Sequence, residues 1–227
     1  MTRFARLAPL LLLPLLAACA TAQREQAEGQ AQRQLLLQRL PAEINGFALQ
    51  PPPASVVTEN GSHLRYRHGA DGPSIGVSLI GTSGTAPEGA QSPPAQLLLS
   101  LIATQAFAQA GSLPGATAER GPDFTVRRHG EAALLAGCAD LRLHQQGRLL
   151  RDLSCTAVIE KQMLVVKLVA IHGPEQVDRV REVMGRFTGR VVETLRQLPP
   201  LENAAPPPPP PAGSAPPPDM LRRLHRT

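Results

Sequence analysis

The side chains able to do chemistry in this chain are few and scattered. The cysteines are Cys19, Cys138 and Cys155, and the histidines are His63, His68, His129, His144, His172 and His225. None forms an H-x-x-x-H pair or a Cys/His cluster with metal-ligand spacing, so no metal site is expected. His63 and His68 are five apart and face opposite sides of one strand. The G-x-S-x-G turn of serine hydrolases is missing, as is a phosphate loop with its lysine. Gly81-Thr82-Ser83-Gly84-Thr85 is glycine-rich but reads as a plain loop. His129 and Glu131 offer a base and a carboxylate with no nucleophile nearby. Asp140 and Asp152 lie near opposite ends of one hairpin. Paired carboxylates can hydrolyse glycosides, but charges flanking a turn are the commoner arrangement. Lys167 interrupts an apolar strand, where its stem covers apolar surface and its amine reaches solvent; the alternative is a groove residue on the sheet. No catalytic residue and no cofactor is expected from this inventory.

Composition sets outer limits. The 227 residues carry 23 Lys plus Arg against 18 Asp plus Glu, a formal net charge of +5, with one Tyr and no Trp. Length suits one domain. Few aromatics argue against a stacking platform, so no nucleic-acid partner is expected. Arg3 and Arg6 precede an apolar run, Leu7 to Leu16, which ends in Ala17, Ala18 and Cys19. That layout is a secretory leader, too short to span a bilayer as a helix. Leu16-Ala17-Ala18-Cys19 resembles a bacterial lipobox. The resemblance implies cleavage before Cys19 and acyl chains on it, each buried methylene contributing about 0.8 kcal/mol to bilayer attachment. Ala20, rather than aspartate, follows; by resemblance to enterobacterial sorting this favours the outer membrane, facing the periplasm. Cys138 and Cys155 then remain in an oxidising compartment and are expected to pair as a disulfide.

The elements that must position these residues follow from periodicity. Residues 1–18 read as leader and 19–42 as a lipid-bearing tether, partly helical. A single domain covers 43–198. The remainder, 199–227, is a proline-rich tail expected to be disordered. Ser62 to His68 and Ser74 to Ile80 alternate at period two around a Gly-Ala-Asp-Gly-Pro turn, predicting a hairpin. Pro94 to Ala110 predicts a helix capped by Ser92 and stopped by Gly111, whose alanines allow close approach to a sheet. Phe124 to Val126 begins a strand. Ala139 to Leu143, Leu149 to Ile159 and Met163 to Ile171 predict three successive antiparallel strands. Val177, Val180, Met184, Phe187, Val191, Leu195 and Leu198 mark one face of a final helix. Eleven of the 24 prolines fall between Pro199 and Pro218, and the chain ends with Arg222, Arg223 and Arg226. These three could touch an anionic surface, or the tail could be an inert spacer.

This order is similar to the Mog1/PsbP-like fold, an α+β architecture with an antiparallel sheet in an α/β/α sandwich. Leu40-Pro41 with Gly46-Phe47, Leu64-Arg65-Tyr66, Ile75 to Leu79, the Gly137 to Cys155 block and Met163 to Ile171 carry the resemblance. It implies binding to other macromolecules and transfers no site residue. The leading expectation is a non-catalytic, membrane-anchored envelope lipoprotein that binds a protein partner or assists envelope assembly. A carrier of an apolar ligand or lipid, using a groove between sheet and helix, is the first alternative. A hydrolase with dispersed site residues is the second. A deep apolar cavity favours the carrier.

Overall fold

Alternating and continuous apolar runs dominate the middle of the chain, and they pair into one ten-stranded sheet. A computed structural model describes residues 26–51, 56–57, 61–82, 86–128, 131–145, 148–173 and 176–197. Cys19 and the tail arginines Arg222, Arg223 and Arg226 lie outside the described residues. The strands are β1 (Glu43–Ile44), β2 (Phe47–Leu49), β3 (Val56–Val57), β4 (Gly61–Arg67), β5 (Ser74–Gly81), β6 (Ala116–Arg120), β7 (Phe124–Arg127), β8 (Leu134–Gln145), β9 (Arg148–Ile159) and β10 (Gln162–His172). The helices are α1 (26–38), α2 (Pro93–Gly111) and α3 (Val177–Leu195). Spatial order is β1-β2-β4-β5-β10-β9-β8-β6, with β3 beside β4 and β7 beside β8. Neighbours in it run antiparallel. The architecture is the expected α+β one, with α1 and α3 on one face and α2 on the other.

Period two decides which side chains meet which helix. Ile75, Val77 and Leu79 alternate inward on β5 and are fully buried. With Leu64, Cys138, Leu153, Cys155, Leu164 and Val166 they form the core beneath Met184, Phe187, Val191 and Leu195 of α3. β8 and β9 are buried along both faces because α2 covers the opposite side.

Tyr66 sits at the centre, its ring edge-on to Phe187 at 5.4 Å, while Phe187 meets Phe47 at 5.5 Å. The Tyr66 hydroxyl donates to the Pro41 carbonyl at 2.9 Å. Burial pushes its pKa up from 10.0 to about 12. The chain has one tyrosine and no tryptophan, so phenolate absorbance reports this group alone. The folded protein is expected to show a single phenolate transition near pH 12, returning to about 10 in urea. Because the folded state holds this proton longer, stability falls as pH rises through that interval. A folded-state midpoint at the ordinary tyrosine value contradicts this placement.

The domain begins earlier than the sequence reading places it. Residues 19–42 read as tether, yet Leu36, Leu37 and Leu40 belong to the core, with Leu36 wholly buried. Their spacing makes an apolar stripe on α1, and the polar residues before them serve as clamps rather than spacer. Gln32 donates to the Glu160 carbonyl at 2.8 Å. Arg39 reaches the Glu160 carboxylate at 2.6 Å and the Leu195 carbonyl at 2.7 Å. Glu160 and Lys161 form the β9–β10 turn with φ of 47° and 62°, the left-handed pair that a tight hairpin requires. Contacts from α1 and from Thr82, which donates to the Lys161 carbonyl at 2.7 Å, hold this non-glycine turn in place.

Smaller differences have local causes. β8 starts at Leu134, five residues before the expected Ala139, because β7 pairs with its first half. β6, with the non-alternating sequence ATAER, is held by its partner β8 rather than by its own pattern. Ser92 precedes α2 but makes no side-chain cap.

Candidate functional site

The two faces of the β8–β9 hairpin carry different chemistry. Cys138 and Cys155 are directly opposite in the register and joined by a disulfide, S–S 2.01 Å, on the α3 face. Two residues further along the same face, Asp140 is fully buried beneath α3. Its carboxylate accepts from Arg151 Nε at 2.7 Å and Nη2 at 2.5 Å. Arg181 of α3 adds contacts at 3.1 and 2.7 Å. Arg142 approaches to 3.8 Å. Burial alone raises the Asp140 pKa, but the hydrogen bonds and charges of Arg151 and Arg181 outweigh it and hold the carboxyl below its ordinary value. Arg151 is itself fully buried, and its Nη1 donates to the Val177 carbonyl at the start of α3. Every oxygen of this carboxylate is committed, so the cluster is a tie between sheet and helix rather than an acid or base.

Asp152 points the other way. Asp140 pairs with Leu153 and Asp152 with Leu141 in the register, so the two carboxylates occupy opposite faces. They cannot flank one substrate bond, which removes the paired-carboxylate arrangement. Lys167 reaches Asp152 at 2.9 Å with its side chain 42% exposed. The lysine therefore combines the stem-and-amine behaviour with an ion pair on the α2 face.

On that face lies the smaller of two grooves among the described residues. α2 forms because Leu, Ala and Gln are good helix formers, with Pro93 and Pro94 accepted in the first turn. It carries no charge, and Gln96, Ser100, Thr104, Gln105 and Gln109 are distributed among its apolar residues without forming one polar face. Here it is only half covered: Leu97 is 63% exposed and Leu101 57%. The helix is pinned near both ends by the buried Ala95 and Ala110. At the first end, Thr156 donates to the Ala95 carbonyl at 2.9 Å. Between the pins, the alanines expected to give close approach instead leave space. A slot of about 320 Å³ opens beneath Ile102, Ala103, Ala106 and Phe107, floored by Ala139 and Leu141. Its polar lining includes Thr104, Arg120, Asp152 and Ser154. Thr104 is satisfied by the Ser100 carbonyl at 2.8 Å, and Ser154 donates to Asp152 at 3.3 Å.

A second groove, about 540 Å³, lies on the α3 side among Asn45, Phe47, His68, Arg179, Val183 and Arg186. It lies between the β1–β2 turn and the exposed Arg179 and Arg186 of α3, so its rim is cationic.

The histidines remain dispersed. His63 Nδ1 lies 2.9 Å from Ser78 Oγ on the α2 face, and burial followed by the Arg65 charge lowers its pKa. His68 packs edge-on against Phe47 at 5.3 Å. His144 lies 3.8 Å from Glu119. His172 Nδ1 faces the Gly173 carbonyl at 2.7 Å. Glu131 pairs with Arg128 at 2.9 Å, and His129, its expected companion, lies outside the described residues. Among the described residues no group of three His, Cys, Asp or Glu could hold a metal ion, and no helix is long and apolar enough to cross a membrane. Sequence reading missed Arg120, Arg151 and Arg181. Only register could have found Arg151, placed on the Asp140 side of the hairpin.

No protein-family model and no curated protein matches the chain. Among solved structures, a mutant form of protein Mog1 is similar at 11% identity and a TM-score of 0.33. The match covers 67% of this chain and 86% of that one. The likeness is a weak, Mog1-like resemblance of fold.

Proposed function

We propose that this chain is a non-catalytic binding protein for an apolar ligand, held in the slot beneath α2. The expected anchor on Cys19 would hold it at the envelope membrane, the periplasmic side of the outer membrane being favoured, with the basic tail end free to meet anionic surface. The slot carries this reading. Protein interiors are packed as densely as organic crystals, so an unfilled groove lined by apolar side chains offers an apolar guest contacts that the protein itself does not make. A volume of about 320 Å³ under an apolar helix is within the range of small-ligand sites, about 300–1,000 Å³. The exposed Leu97 and Leu101 favour a second reading, in which the outer side of α2 docks a protein partner.

The test uses the leader-free chain, residues 19–227 with Cys19→Ser, so that neither acyl chains nor the apolar run Leu7 to Leu16 is present and no detergent, itself an amphiphile, is needed. The neutral dye N-phenyl-1-naphthylamine is expected to bind with one site per chain. Ala106→Trp fills the slot and is expected to weaken binding about tenfold or more, equivalent to about 1.4 kcal/mol, while the melting temperature holds. Leu97→Gln on the outer side leaves binding unchanged. Loss with Leu97→Gln but not with Ala106→Trp overturns the slot and supports the docking surface.

A further inference from the structure

Resting on the slot as an apolar site, we infer that its ligand is a single-chain anionic amphiphile whose head group is held by Arg120. Arg120 ends β6 opposite Leu141, so it stands on the α2 face at the edge of the slot. Among the lining residues it is the one cation. The other charges there are engaged within the protein. Asp152 is neutralised by Lys167 at 2.9 Å, and Asp140 is enclosed by Arg151 and Arg181 on the opposite face. Among the described residues Arg120 is held only by Asp123, at 2.8 and 3.3 Å through Nη2 and Nε. Both partners are about half exposed, 53% and 51%. Such a surface pair is worth about 0–1 kcal/mol, so an incoming carboxylate can take the place of Asp123. Nη1 has no partner among the described residues and is available to the same head group.

The slot also bounds the tail. A groove of about 320 Å³ lies at the small end of ligand sites, about 300–1,000 Å³, which suits one alkyl chain of medium length. A chain of that length with a carboxylate head satisfies wall and rim together. A neutral alcohol of equal length satisfies the wall alone.

Displacement of the neutral dye by dodecanoate and by 1-dodecanol separates these contributions in the leader-free Cys19→Ser chain, residues 19–227. Arg120→Gln is expected to weaken dodecanoate roughly tenfold, the scale of one charge-assisted hydrogen bond, and to leave dodecanol unchanged. Asp123→Asn, which frees Arg120, is expected to tighten dodecanoate and leave dodecanol unchanged. An Arg120 with a purely structural role would give no such opposite pair. Equal affinity of dodecanoate in all three proteins overturns the head-group assignment while leaving the apolar site standing. Loss of dye binding in none of the slot variants overturns the site itself.

Discussion

Asp140→Asn is expected to cost about 3–5 kcal/mol of folding stability, as breaking a buried ion pair does when one partner is removed. Asp140 is the only anion meeting Arg151, and both side chains are fully buried. Removing the charge leaves Arg151 enclosed with Arg181 and Arg142 close by. It also loosens α3, because Arg151 bonds the Val177 carbonyl as well as the carboxylate. Replacing both members, as in Asp140→Leu with Arg151→Met, removes the uncompensated charge and is expected to cost less than Asp140→Asn alone. Urea unfolding at neutral pH of the two single variants and the double variant gives the coupling. Acid titration supplies an independent reading. The native Asp140 pKa lies below its ordinary value of 3.8. Its contribution is therefore present above that value and is lost as pH falls through the lower, folded-state pKa. Asp140→Asn flattens that limb of the stability curve. A cost below about 1 kcal/mol, in the range of exposed pairs, contradicts the burial of this cluster.

Removing the disulfide is the second large effect. Cys138 and Cys155 are 17 residues apart. Opening a loop of that size costs about 3 kcal/mol in the chain-entropy account. Cys138→Ala with Cys155→Ala is expected to lower stability by that amount in urea unfolding, while the strand pairing on either side keeps the fold. Cys138 is 1% exposed and Cys155 0%, so dithiothreitol should reach the bond only when the hairpin opens. In the Cys19→Ser chain, thiol trapping with mass spectrometry is then expected to show no free thiol in native protein and two in urea with reductant. Two rapidly trapped thiols in unreduced native protein contradict the bond.

The sheet was legible where a pattern repeats. Ile75, Val77 and Leu79 alternate, the run Met163 to Ile171 is almost unbroken, and the turns between them are rich in Gly, Asp or Gln. Each such segment appears within a residue or two of its expected place. α1 was hidden because its first half is Gln, Glu and Arg, which looks like tether until the β9–β10 turn is present to accept its hydrogen bonds. Asp140 read as a charge beside a turn. Its true partners come from the next strand and from α3, 41 residues away, which local pattern cannot supply. The slot was illegible for a related reason. Ala103 and Ala106 announce small side chains, but whether the facing positions are large or small decides between tight packing and a cavity. Of the facing residues, Ala139 and Ser154 are small, beside the larger Leu141.

The slot beneath α2 is tested most directly by methyl NMR of the leader-free Cys19→Ser chain, residues 19–227, titrated with dodecanoate. The methyls of Ile102 and Leu141, which line the slot, are expected to shift in step with binding. Ile44 and Ile75, in the core on the α3 side, are expected to stay still. Shifts confined to the outward-facing Leu97 and Leu101, with Ile102 and Leu141 unmoved at saturation, contradict an internal site.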